Sequence, residues 1–102
     1  MTNEALTKID KGEALVRTIN MLVREWRLPA PPASDTDLRK PPSAGLGKND
    51  NQIRALEGPI ETNDFHDVDA QVDGDNLVKA KTVADLRDKI WDGIPNEHKI
   101  PD

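Results

Sequence analysis

Apolar residues recur at Leu6, Ile9, Leu15, Val16, Ile19, Leu22, Val23 and Trp26, mostly in steps of three, four and seven. That is the period of one helix face, and no other stretch is both as long and as regular. The pattern predicts an N-terminal amphipathic helix within residues 1–28, about twenty-four residues or ~36 Å long. Thr2 or Asn3 can cap its start, and Thr7 with Asp10 forms a second capping box, so the first turn is expected to fray. Arg24 and Arg27 suit the negative end of the helix dipole. Pro29 stops the helix, because it pushes Leu28 out of the α region. Within the stripe, Gly12, Val16, Ile19, Val23 and Trp26 follow steps of four, three, four and three, the a and d spacing of a coiled coil. Such a face packs either in the core of a small bundle or on a partner.

The pattern then changes three times. Residues 29–50 carry Pro29, Pro31, Pro32, Pro41 and Pro42, with Ser34, Ser43, Gly45 and Gly47 between them. They read as an extended, proline-rich arm or stiff spacer. Residues 51–81 form an acidic, irregular segment. Ile53 and Leu56 share a face of a short helix over Asn51–Glu57, closed by Gly58-Pro59. Phe65 and Val68 are the apolar anchors of the acidic run, and Val72–Val78 carries a turn signal flanked by apolar residues, the pattern of a short hairpin. Residues 82–102 hold the best-bounded element. Thr82 and Asp85 make a capping box, Val83, Leu86 and Ile90 form a stripe flanked by Trp91, Gly93 suits a left-handed C-terminal position, and Pro95 prevents continuation.

Composition bears on the core. Of 102 residues, 35% are hydrophobic and 32% charged. The fold expected is mainly α with long irregular or extended segments and little independent core, because stretches poor in apolar side chains do not offset the entropy of ordering them. A net charge of −5 argues against nucleic acid as a partner, and the absence of cysteine excludes disulfides and thiolate metal sites. No apolar run approaches the ~20 residues of a membrane span, and Met1–Glu4 lacks the features of a signal peptide, so synthesis and retention in the cytoplasm is the expectation.

Candidate chemistry is sparse. Asp69, Gln71, Asp73, Gly74 and Asp75 follow the first half of a calcium-binding loop. The pattern breaks at the twelfth position, Ala80, and the eighth, Asn76. His66 or His98 beside Asp64 or Asp67 falls short of a catalytic zinc set. Ser34 and Ser43 lie in the arm, which offers no rigid geometry for a nucleophile, and Gly45–Lys48 lacks the spacing of a phosphate loop. No active site, cofactor site or metal site is expected. The tryptophans, one at the end of each amphipathic helix, either pack on each other or fill pockets on a partner. The expected partner-binding residues are Leu15, Ile19, Leu22, Val23, Trp26, Leu86, Ile90 and Trp91.

Two short runs resemble known proteins. Asn51–Glu57 with Pro59 resembles a stretch in small head or ejection proteins of tailed phages. Asp75–Leu86 is similar in cadence to segments common in phage fibre proteins, departing at Val78 and Ala80. The resemblance implies a small structural protein of a tailed bacteriophage particle and brings no functional residues with it. The function expected is therefore a non-catalytic structural or adaptor protein docking onto a larger protein assembly, with possible association with virions. Self-association through the N-terminal helix is a further expectation. Two other readings are a regulatory, antitoxin-like binder that uses the acidic segment, and an accessory subunit of an enzyme complex.

Overall fold

Asp10 sets the start of the first helix. The computed structural model describes residues 6–101, and in it the Asp10 carboxylate accepts a hydrogen bond from the Glu13 N–H at 2.7 Å. Helix α1 then runs over Lys11–Trp26. At 16 residues it is ~24 Å long, shorter than its periodicity predicted. Leu6–Ile9, part of the predicted helix, lie outside it. Ile9 donates its N–H to the His98 carbonyl and accepts from the Ile100 N–H, both at 2.9 Å, in a single parallel bridge. Ile9 matches the helical period yet reaches the core from an extended strap. The caps expected at Thr2 and Asn3 lie outside the described residues. Helix α1 ends as Arg27 turns into the left-handed region (φ 51°) and Leu28 bonds back to the Val23 carbonyl, the 6→1 closure of a helix end.

The proline-rich stretch is a folded clamp rather than a free arm. Its anchor is Leu38, fully buried. Leu38 donates its N–H to the Lys81 carbonyl and accepts from the Lys48 N–H, both at 2.9 Å. The Asp37 carboxylate accepts from the N–H groups of Arg39 and Lys40, which closes a turn and holds that acid below the ordinary carboxylate range. The Arg39 guanidinium caps the carbonyls of Ala80 and Val78 and reaches Asp50 at 2.8 Å.

The acidic middle is ordered by its own short helices. Helix α2, Asp50–Arg54, opens with a capping box between Asn49 and Gln52. Gly58-Pro59 does not close the helical run. Pro59 sits in the first turn of α3, Glu57–Pro59, where a missing N–H costs nothing, and the chain continues into a π-helical turn, Ile60–Asp64. A 3₁₀ turn over His66–Val68 follows. The expected hairpin is instead helix α4, Gly74–Leu77, because Asp73 caps the Asp75 N–H and starts a helix there. No strand occurs among the described residues.

Helix α5, Val83–Asp92, keeps its predicted limits, with Thr82 and Asp85 capping each other's backbone N–H groups. Such a cap contributes about 0.5–2 kcal/mol. Gly93 departs from expectation. Its φ of −88° is open to any residue, so the glycine is there for space. A Cβ on it would lie 2.2 Å from the Gln71 carbonyl oxygen.

Helices α1 and α5 pack against each other. The stretch just after α1 holds the first turn of α5, through Val83 N–H to Thr36 O and Ala84 N–H to Ser34 O. One turn later, Arg87 reaches the Lys11 carbonyl at the opposite end of α1. Between and around them lies a continuous core. Met21 and Leu22 enter from α1, Leu38 from the clamp, Ile53, Ile60, Phe65 and Val68 from the middle, Leu77 from α4, and Leu86 and Ile90 from α5, all fully buried. The core is therefore larger than composition suggested, because the segments read as irregular supply Leu38 and, from the acidic middle, Ile53, Ile60, Phe65, Val68 and Leu77. Buried Thr18 donates to the Ala14 carbonyl at 2.7 Å, and among the described residues no buried side-chain polar atom lacks a partner. None of the described helices is long and apolar enough to cross a membrane.

Candidate docking surface

Helix α1 carries more apolar surface than the core takes up. Successive residues turn by about 100°, so its apolar arc from Met21 round to Val16 spans more than roughly 200°. The inward part, Ala14, Thr18, Met21 and Leu22, is buried. Leu15, Ile19 and Trp26 are half-buried on the flank, packed against the core edge. Val23 is half-buried, and Val16, farthest round, is 55% exposed. The coiled-coil spacing read from sequence thus falls on the outer flank: Gly12, Val16, Ile19, Val23 and Trp26 form a line along the edge of the core.

The polar face of α1 is already engaged. Arg24 grips the Asp64 carboxylate with two nitrogens at 2.9 and 2.6 Å. Arg17 grips Asp67 at 2.7 and 3.2 Å and lies over the Phe65 ring, 5.9 Å from its centroid. These paired geometries raise both guanidinium pKa values and lower that of Asp67. The acidic segment thereby serves as the counter-surface of α1's basic edge.

At the C-terminal end of α1, the stripe meets the clamp. Trp26, Leu28, Pro29, Pro32, Pro42 and Leu46 line a cleft of about 390 Å³. The Lys48 ammonium sits 5.5 Å from the Trp26 ring centroid. Trp91 lies beside Lys11 at the other end of α1, with Lys99 5.2 Å from its ring. Fifteen residues of helix separate the levels of the two tryptophans, ~22 Å, so they do not pack on each other.

The sequence-predicted partner residues therefore divide. Leu22, Leu86 and Ile90 have no exposed surface and hold this chain's own core; Trp91, 9% exposed, joins them. Leu15, Ile19, Val23 and Trp26 remain partly open. Val16 was in the heptad spacing but outside the expected contact set, and it is the most open apolar residue of the helix. Only the direction of the core distinguishes Val16 from Leu22, and that direction is set by residues far along the chain.

The other candidates are dispersed. Asp69 contacts His98, Asp73 caps α4 and Asp75 meets Arg54 at 2.9 Å, so the calcium-like run points its carboxylates apart. Among the described residues, no group of three or more His, Asp or Glu is placed to hold a metal ion. A broad, open cleft of about 710 Å³ runs past Glu61, His66, Asp69, Asp92 and Ile94. Glu61 there is already committed, accepting the Val72 N–H at 2.8 Å.

His98 ties the termini together. Its Nδ1–H donates to the Thr7 carbonyl at 2.7 Å, and its Nε2 lies 3.3 Å from the Asp69 carboxylate. Both partners are acceptors, so only the doubly protonated ring satisfies both. The Thr7 carbonyl first, then Asp69, raises the imidazole pKa against the opposing effect of burial. A raised folded-state pKa stabilises the fold fully below the unfolded value of 6.5, and that contribution is lost as pH rises through the folded value. The melting temperature is therefore expected to fall as pH rises above 6.5, and a His98→Gln variant to lose this slope. Equal slopes in both proteins would exclude the His98 tie to Thr7 and Asp69.

Comparisons with family models, with curated proteins and with solved structures give no match to this chain.

Proposed function

We propose that the protein is a non-catalytic structural or adaptor protein that docks onto a larger protein assembly through the outer flank of α1. The observation that carries this reading is the position of Val16, Ile19, Val23 and Trp26, an apolar line at a and d spacing left partly open beside an otherwise filled core. Burying a large apolar side chain contributes roughly 1.5–3 kcal/mol, so a partner helix on this line gains several such increments. The proline-lined cleft under Trp26 extends the same surface. A tailed-phage particle is the assembly that the two local resemblances suggest, and association with virions belongs to the same proposal.

The acidic segment fits an inhibitor's charged arm less well. Asp64, Asp67 and Asp75 have arginine partners within the chain, and Asp69 faces His98. The test is Val16→Asp, which changes an exposed side chain. It is expected to change the unfolding free energy by no more than about 0.5 kcal/mol and to abolish recovery of the protein with its assembly. Normal incorporation of Val16→Asp would remove the docking reading.

A further inference from the structure

We propose that the occupant of the outer flank of α1 is a second copy of this chain, laid antiparallel across the first about a twofold axis level with Met21. The proposal rests on the docking reading above and names its partner.

Charge order along the helix carries the argument. The edge of the stripe that faces away from the core presents Glu13 and Asn20, and seven residues further on the exposed Arg27 follows as the left-handed cap of the helix. Read in one direction the order is acid, amide, base; read in the other it is base, amide, acid. Two antiparallel copies therefore set Glu13 of each against Arg27 of the other, and Asn20 against Asn20, whose amides can both donate and accept. A parallel pair would instead bring this edge against the Leu15 and Leu22 edge, which turns into the core.

These charges remain available. Arg27 has no ion pair among the described residues, whereas Arg17 and Arg24 are held by Asp67 and Asp64. Glu13 pairs with Arg17 but keeps 52% of its side chain exposed, leaving its carboxylate open to a second cation.

The apolar line is complementary in the same register. Val16 of one copy layers with Trp26 of the other, and Ile19 with Val23, so large faces small. Gly12 extends the groove. A Cβ there would meet only Asp10 Oδ1, at 3.3 Å, so the backbone beside Val16 is open to the partner's tryptophan and the turn behind it.

The contact spans one helix of ~24 Å, so the dimer is reversible and concentration-dependent rather than obligate. Sedimentation equilibrium of the full chain over a range of concentrations and salt reads it directly. A monomer–dimer equilibrium is expected. Glu13→Arg and Arg27→Glu, each checked for fold by circular dichroism, should each weaken it by roughly tenfold, and the charge-swapped double variant should restore it. A monomer at every concentration, or a double variant no better than either single one, overturns the proposal. A monomeric wild type whose Val16→Asp variant still loses its assembly would show that the flank docks on a different protein. If Val16→Asp changed neither dimerisation nor recovery, both readings would fall.

Discussion

Phe65→Ala is expected to lower the unfolding free energy by about 3–5 kcal/mol, the cost of emptying a large buried aromatic site. Phe65 is the only phenylalanine and has no exposed surface. It sits where the π-helical turn passes into the 3₁₀ turn, donating its N–H to the Ile60 carbonyl and accepting from the N–H groups of Val68 and Ala70. Its neighbours Asp64 and Asp67 are the carboxylates held by Arg24 and Arg17. Removing the ring therefore loosens the acidic segment from α1 as well as opening a cavity. For a domain of this size the loss corresponds to a fall in melting temperature of roughly 15–30 °C. Urea unfolding would measure it, and a change below about 1 kcal/mol would mean that the segment is not seated on this residue.

Gly93→Ala is expected to cost about 3 kcal/mol, at the upper end for overpacking. The added methyl would meet the Gln71 carbonyl oxygen at 2.2 Å and its carbon at 3.1 Å, both backbone atoms that cannot rotate away. The Gln71 N–H is also bound to the Gly93 carbonyl at 2.9 Å, so relieving the clash breaks that bond. Gly58→Ala is the matched control. No atom lies within 4 Å of its Cβ position, so it should be neutral or stabilise by up to about 1 kcal/mol. Equal melting temperatures for the two variants would show that the Gln71–Gly93 approach is not a constraint.

Gly93 also shows how far the sequence could be read. The limits of α5 were legible because capping is local: Thr82 and Asp85 lie three residues apart, and Pro95 stops the chain nearby. The reason for the glycine was not, because Gln71 comes from another segment. Helix α1 was legible in period but not in length. Ile9 satisfies the periodicity while belonging to an extended strap, and the bonds that decide this run to His98 and Ile100. Composition misled most between residues 29 and 81. Leu38 stands alone among polar residues and Leu77 follows a turn signal, so no period marks either as core, yet both are fully buried. Likewise, Asp64, Asp67 and Asp75 read as solvated charge, although their arginine partners lie 40, 50 and 21 residues away. Ladders and ion pairs at such separations leave no local pattern. The candidate surface was half legible: heptad spacing named the line, but only the packed structure shows that it faces outward.

The proposed division of α1 into an inward face that holds the fold and an outer flank that docks can be tested by hydroxyl-radical footprinting. The chain would be labelled once at high dilution and once in its assembled state. Val16 and Trp26 are expected to label strongly in the dilute chain and to be protected in the assembly, while Leu22 and Leu86 stay unlabelled in both. Equal labelling of Val16 and Trp26 in the two states would contradict docking through this flank.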